Sequence, residues 1–136
     1  MFLIWPKLCS TVLKFMNPSN LETGKIGEKV ARKYLEENGY KMLEQNYRTK
    51  YAEIDLVAKK KNEMIFVEVR TKRGEDFGTP EETINKKKLR KLWGNAKAYT
   101  IWKKWRGPYR VDAICIVLKS NGKVDRLNHY QNIVLG

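Results

Sequence analysis

The sequence predicts an α/β domain, a sheet of about five strands flanked by two main helices. Three observations predict it. Two stretches, residues 19–38 and 79–99, repeat apolar residues at helical spacing. Two runs rich in β-branched and aromatic residues, 52–57 and 64–72, flank a short polar segment as the arms of a hairpin do. Residues 110–118 form a continuous apolar strand of the kind covered on both faces. At 136 residues the chain is long enough for one core and too short for two.

In chain order, the first 16 residues hold an apolar run, Phe2-Leu3-Ile4-Trp5, which Pro6 and Lys7 interrupt before it reaches signal-peptide or membrane length. They read as an extension, residues 1–18, ahead of a domain spanning 19–136, or as a start codon placed upstream of the true one at Met16. An interfacial anchor fits less well because basic residues are sparse there. Ser19 and Glu22 have the capping-box spacing that opens a helix; Ile26, Val30, Ala31, Tyr34 and Leu35 form its apolar stripe, and Gly39 stops it. Glu28 falls at the edge of that stripe, placed to lean over the sheet or to pair with Arg32 one turn on. Gly24 and Gly27 would let backbone or phosphate come close.

Residues 40–48 read as the first strand, and the hairpin follows. After Lys72 a polar loop, 73–78, skirts whatever the strands present. Thr79-Pro80-Glu81-Glu82 is expected to open the second helix, with threonine as the cap. On that helix Lys86, Lys87, Arg90 and Lys91 make a solvated basic face. Lys88 instead turns towards the stripe of Leu89, Leu92, Trp93, Ala96 and Tyr99, where a lysine snorkels or meets an anion. Trp102 and Trp105 interleave with Lys103, Lys104 and Arg106, a pattern that suits nucleic acid and equally suits burial of the rings. Asp112, at the polar start of the apolar strand, is either an outer residue of a site or a partner of Arg110 or Lys119. Asn121-Gly122 turns the chain into a last strand, 123–127, and His129 reads as a surface residue.

Charge narrows the partners. Lys and Arg number 28 against 15 Asp and Glu, a net charge of +13 with a pI of about 9.8, so a polyanion is expected. Nucleic acid comes first and an anionic membrane surface second. Cys9 and Cys115, far apart, argue against a disulfide framework or a zinc site, and the single histidine against histidine-based catalysis. A reducing cytoplasm fits.

The hairpin carries the chemistry. Residues two apart share a strand face, so Glu53 and Asp55 point one way, and Glu68, Arg70 and Lys72 point one way on the next strand. A two-residue loop at Lys61-Asn62 sets Lys60 opposite Glu63, hence Asp55 opposite Glu68 and Glu53 opposite Arg70. Opposed Cβ atoms lie about 4.5–5.5 Å apart, close enough for two carboxylates to hold one divalent cation. Cross-strand ion pairs on a solvated face are the competing reading. Against it, acids are disfavoured inside strands, and facing carboxylates repel unless a cation lies between them.

Together, Glu-Ile-Asp-Leu-Val-Ala (53–58), Phe-Val-Glu-Val-Arg (66–70), Phe-Gly-Thr-Pro (77–80) before a lysine-rich helix, and Tyr-Arg-Val-Asp-Ala-Ile (109–114) resemble the small bacterial YraN-type proteins. The likeness runs in consistent order from Gly24 to Leu127. That family belongs by fold to the PD-(D/E)XK nuclease superfamily, near the Holliday-junction resolvases. The resemblance implies a restriction endonuclease-like mixed sheet and a divalent-metal-dependent endonuclease. It further implies nucleic acid as partner, DNA ahead of RNA and branched DNA included, with Mg²⁺ or Mn²⁺ as cofactor and a homodimer as assembly. In this pattern Asp55 and Glu68, with the Val69 carbonyl, hold the metal, Glu28 adds an acid from the first helix, and Lys88 matches the second-helix lysine. Glu53 and Asp112 would support them, while Arg73, Lys87, Lys88, Lys91 and Arg110 would grip phosphates. Arg70 stands where the pattern has a catalytic lysine. A guanidinium stays protonated and cannot accept a proton from water. It can still orient a phosphate bidentately, leaving activation of water to the metal or to Lys72 on the same face. The departure keeps open a non-catalytic nucleic-acid-binding protein with the nuclease fold and, more distantly, a membrane-surface or assembly partner.

Overall fold

The computed structural model describes residues 18–50 and 53–135. The N-terminal apolar run, with the expectations of an extension and of a start at Met16, lies outside the described residues, as does the side chain of Ser19. In order, the chain forms α1 (Pro18–Glu37), β1 (Lys41–Arg48), β2 (Glu53–Lys60), β3 (Glu63–Arg73), one 3-10 turn (Glu81–Thr83), α2 (Lys86–Trp102), β4 (Tyr109–Leu118) and β5 (Val124–Tyr130). The five strands lie in the order β1-β2-β3-β4-β5, and all neighbours are antiparallel except β3 and β4. A parallel pair needs a crossover, and α2 supplies it. The result is the expected α/β arrangement, a five-stranded mixed sheet with two main helices.

Each helix covers one face. Under α1, Ala31 and Leu35 pack on Leu56, Ile65, Val67, Ile114 and Ile116; under α2, Leu89, Leu92 and Ala96 pack on Val57, Phe66 and Val111. Coverage of both faces explains why β4 is buried from Val111 to Leu118 and reads as unbroken apolar sequence. Each fully buried aliphatic chain of this kind contributes about 1.5–3 kcal/mol. Helix α1 ends as its glycine predicts. Gly39 takes a φ of 86°, and the Tyr40 N–H reaches back to the Leu35 carbonyl at 3.0 Å.

Gly27 has a packing role. A Cβ there would lie 1.8 Å from Thr71 Oγ1, so only glycine lets α1 cross β3 at this height. The second helix departs from expectation. Thr79 does act as a cap, its Oγ1 accepting the Glu82 N–H at 3.3 Å, but what it caps is the 3-10 turn. Ile84 is then extended, and α2 starts only at Lys86, capped by Asn85, whose Oδ1 accepts the Lys88 N–H at 2.8 Å. Asn outranks Thr as an N-cap, and the β-branched Ile84 resists the helical conformation.

Candidate functional site

The site forms where β2 and β3 part. The expected register runs through five pairs, from Lys60–Glu63 to Leu56–Val67, and ends there. Beyond Leu56, β2 stays with β1 as far as Glu53 and β3 stays with β4 as far as Arg73. Asp55 and Glu68 are therefore not ladder partners, nor are Glu53 and Arg70. Opposed carboxylates repel, and a short Asp side chain competes with the backbone for N–H donors. Asp55 Oδ2 accepts the Val69 N–H at 2.9 Å, and Glu53 pairs with Arg48 at 3.1 Å. Because a residue's N–H and C=O face the same neighbouring strand, the Val69 carbonyl is also turned towards the gap.

On their shared face Asp55 and Glu68 prolong the row of Val57 and Phe66 beneath α2. Glu68 is 4% exposed and meets Arg70 Nη2 at 2.9 Å and Lys88 Nζ at 3.4 Å. Burial above all, then the charge of Glu68, pushes the Asp55 carboxyl up to about 7 against the opposing Val69 hydrogen bond, and Glu28 and Glu53 add to the rise. Glu28 reaches the cleft from α1, on the other side of the sheet. Burial raises its carboxyl too; a hydrogen bond with Asn46 opposes, and Glu53 and Glu68 reinforce the rise.

All four acids line one cleft of about 740 Å³, shared with Arg70, Lys72, Arg73 and Lys88. A second recess of about 370 Å³ continues past Glu53 and Lys88 to Arg48 and Lys91, extending a basic track away from the acids. Arg70 Nε is buried without an acceptor among the described residues. No three His, Cys, Asp or Glu side chains among the described residues draw together into a ready-made metal cage. What the cleft offers is two strongly interacting carboxylates, a carbonyl facing the gap and two outlying acids. This all-oxygen donor set suits a hard cation such as Mg²⁺ or Mn²⁺.

The sequence matches the uncharacterised protein family UPF0102 over residues 27–116. The chain belongs to this family. A UPF0102 protein of Thermotoga petrophila is 42% identical over 112 residues, which cover 82% of this chain and 96% of the relative. One from Clostridioides difficile is 43% identical over 115 residues, covering 84% and 97% respectively. Another, from Syntrophomonas wolfei, is 45% identical over 82 residues, covering 60% and 68%. The region that makes this a UPF0102 chain thus begins beside Glu28 and includes Asp55, Glu68, Arg70 and Lys88.

Other expected site residues of this UPF0102 chain lie elsewhere. Asp112 stands in the row of Ile114 and Ile116 beneath α1, on the face opposite Glu68, and is fully buried. Arg110 Nε, His129 Nε2 and the Asn132 N–H meet it at 2.9, 2.7 and 2.9 Å. Burial alone would raise the Asp112 carboxyl; hydrogen bonds from His129, Arg110 and Asn132 overcome that and hold it below the usual range. Asp112 therefore organises a structural network rather than the cleft. Arg110, committed to Asp112, Glu63 and Tyr40, offers no free phosphate grip. His129 belongs to the same network, with only 6% of its side chain exposed, because β5 runs on to Tyr130 and lays the ring against Asp112 and Tyr34. Arg73 lines the cleft, yet its guanidinium donates to Thr23 Oγ1 and the Ser120 carbonyl. Lys87 is exposed on α2.

The tryptophans divide. Trp93 packs beneath α2 and donates to the Ile133 carbonyl, Trp105 donates to the Pro108 carbonyl, and Trp102 is exposed beneath the Lys103 ammonium. Phe77 in the cleft and Arg48 in the adjoining recess were not among the residues the sequence pointed to. Phe77 was visible as the one large apolar residue in an otherwise polar loop. Among the described residues no helix is long and apolar enough to cross a membrane.

Proposed function

We propose that this chain is a divalent-metal-dependent endonuclease of the PD-(D/E)XK kind, hydrolysing phosphodiester bonds in nucleic acid, DNA ahead of RNA and branched DNA among the candidate substrates. The observation that carries the reading is the pairing of Asp55 with Glu68 at the split between β2 and β3, where burial and mutual repulsion make two ionised carboxylates costly without a cation. Asp55, Glu68 and the Val69 carbonyl would hold Mg²⁺ or Mn²⁺, with Glu28 as an outlying acid. When bound, the ion would make water more acidic and offset the negative charge that develops on the phosphate.

The chain's own residues do the rest. Arg70 stays protonated, so its part is to hold a non-bridging phosphate oxygen. A buried donor without an acceptor costs about 1–3 kcal/mol, and a phosphate or water that let Arg70 Nε find one would return it. Lys88 bridges the acids to the basic helix, and Arg48 and Lys91 continue the grip along the strand. Activation of the attacking water would fall to the metal or to Lys72, on the same face as Arg70. As phosphorus gains its bond to that water oxygen, it loses the bond to the leaving sugar oxygen. A homodimer, as in junction resolvases, would supply a second cut.

Labelled branched and flapped DNA incubated with Mn²⁺ tests the proposal. Wild type should cut, and chelation, Asp55→Ala or Glu68→Ala should each abolish cutting. Equal cleavage by wild type and both variants would show that the activity comes from elsewhere. A second reading, binding without turnover, draws on Arg70 and Lys88, which already balance the Glu68 charge without a metal. It predicts metal-independent binding that weakens steeply with salt, because phosphate contacts release counterions.

A further inference from the structure

We infer that Phe77 is a base-stacking platform at the edge of the cleft, which makes the substrate class a nucleic acid with unpaired bases beside the phosphate that is bound. The inference rests on the nucleic-acid reading above and adds a specificity-determining residue to it. Phe77 is 97% exposed and lines the same cleft as Arg70 and Lys88. A Phe ring left in water forgoes the stabilisation that burial would give it, and one held rigidly at the edge of a charged cleft is available to a partner that enters the cleft.

The loop is not slack. The Gly74 N–H donates to the Leu118 carbonyl at 3.0 Å and the Gly78 N–H to the Glu75 carbonyl at 3.2 Å. Arg126, on β5, grips both flanks, meeting Glu75 at 3.1 Å and Glu81 at 2.8 Å, and Tyr130 donates to Glu81 at 2.7 Å. A loop pinned on either side of its tip therefore presents an aromatic face that has no partner among the described residues.

The surroundings select the partner. The chain as a whole carries a net charge of +13, and Arg70, Lys72, Arg73 and Lys88 stand in the cleft beside its four acids, so once a cation offsets the acids a polyanionic chain is the complementary occupant. Bases inside a duplex already stack on one another and hide their faces. Only an unpaired or extruded base can lie on Phe77. Among the described residues the other large apolar side chains more than half exposed, Ile101 and Trp102 at the far end of α2 and Val134 after β5, do not line this cleft.

The experiment compares binding, in chelator, of a duplex bearing a single-stranded arm with a fully paired duplex of the same sequence, the arm carrying a fluorescent purine analogue. Wild type should prefer the armed duplex and quench the analogue. Phe77→Ala should weaken arm binding about tenfold and leave duplex binding unchanged, Phe77→Trp should keep the preference, and Phe77→Leu should lose it. Among the described residues Phe77 has no packing partner and is 97% exposed, so Phe77→Ala should melt with wild type. If wild type binds both probes and Phe77→Ala matches it on both, the stacking role is overturned while the nucleic-acid reading stands. Should wild type bind neither probe, in chelator or with Ca²⁺ added in its place, the nucleic-acid reading falls and takes this inference with it. Liposome binding by wild type that Phe77→Ala abolishes would overturn it too, assigning the ring to a lipid surface.

Discussion

Replacing Asp55 with asparagine keeps the side chain's shape and its acceptor for the Val69 N–H while removing one charge. Burial and Glu68 raise the Asp55 carboxyl from 3.8 to about 7, so the folded chain holds this proton more tightly than the unfolded chain does. Its contribution to stability is therefore full below the ordinary Asp value and is lost as pH rises through about 7. The difference corresponds to about 4 kcal/mol as a ceiling. Water entering the open cleft should reduce it to about 2 kcal/mol. Asp55→Asn has no such loss. Denaturant unfolding followed from about pH 4 to about pH 8 should show wild type weakening while the variant stays level, the variant ending about 2 kcal/mol the more stable. Groups common to both proteins cancel in the comparison. Mn²⁺ added at the alkaline end should raise wild type and leave the variant unmoved, since a ligand that binds only the folded state stabilises it. Parallel pH profiles would mean that Asp55 ionises without penalty, and crowding of the acids would cease to argue for a cation.

Two further substitutions test the frame around the cleft. Gly27→Ala should cost about 1–3 kcal/mol by driving a methyl into Thr71, and Thr71→Ala in the same chain should return part of it; unchanged thermal stability of the single variant would refute the close crossing. Asp112→Ala strands Arg110 without its main partner and should destabilise by about 3–5 kcal/mol while Mn²⁺ binding, read by calorimetry below the melting temperature, stays intact. Loss of Mn²⁺ binding at unchanged stability would return Asp112 to the site.

What could be read from the sequence was what local rules control. The Lys61-Asn62 turn set the β2–β3 register, and helical periodicity aimed Lys88 at the acids, where it meets Glu68. Gly39 marked the end of α1 for the same kind of reason. The misses came from competition or from distance. Thr79 and Asn85 are both competent caps six residues apart, and only the intact fold shows that the helix belongs to Asn85. Asp112 and His129 meet because β5 pairs Ile114 with His129, a contact no local pattern announces. The parting of β2 from β3 beyond Leu56 is likewise settled by neighbours outside the hairpin, since β1 holds one strand and β4 the other.

The order of the strands also gives the cleft a history. β1, β2 and β3 follow one another through short connections, whereas β3 and β4 are joined only through the long crossover that carries α2. Neighbouring segments close first, hairpins within about 1–10 µs, and long-range parallel pairing comes later. Asp55, Glu68 and Arg70 all lie on that local meander, whereas Lys88 travels on the crossover and is expected to dock later. On that order Arg70, carried on β3 itself, is the first cation to reach Glu68, and Lys88 adds the second only when the crossover is laid down, so the two halves of the charge balance are set by different stages of assembly.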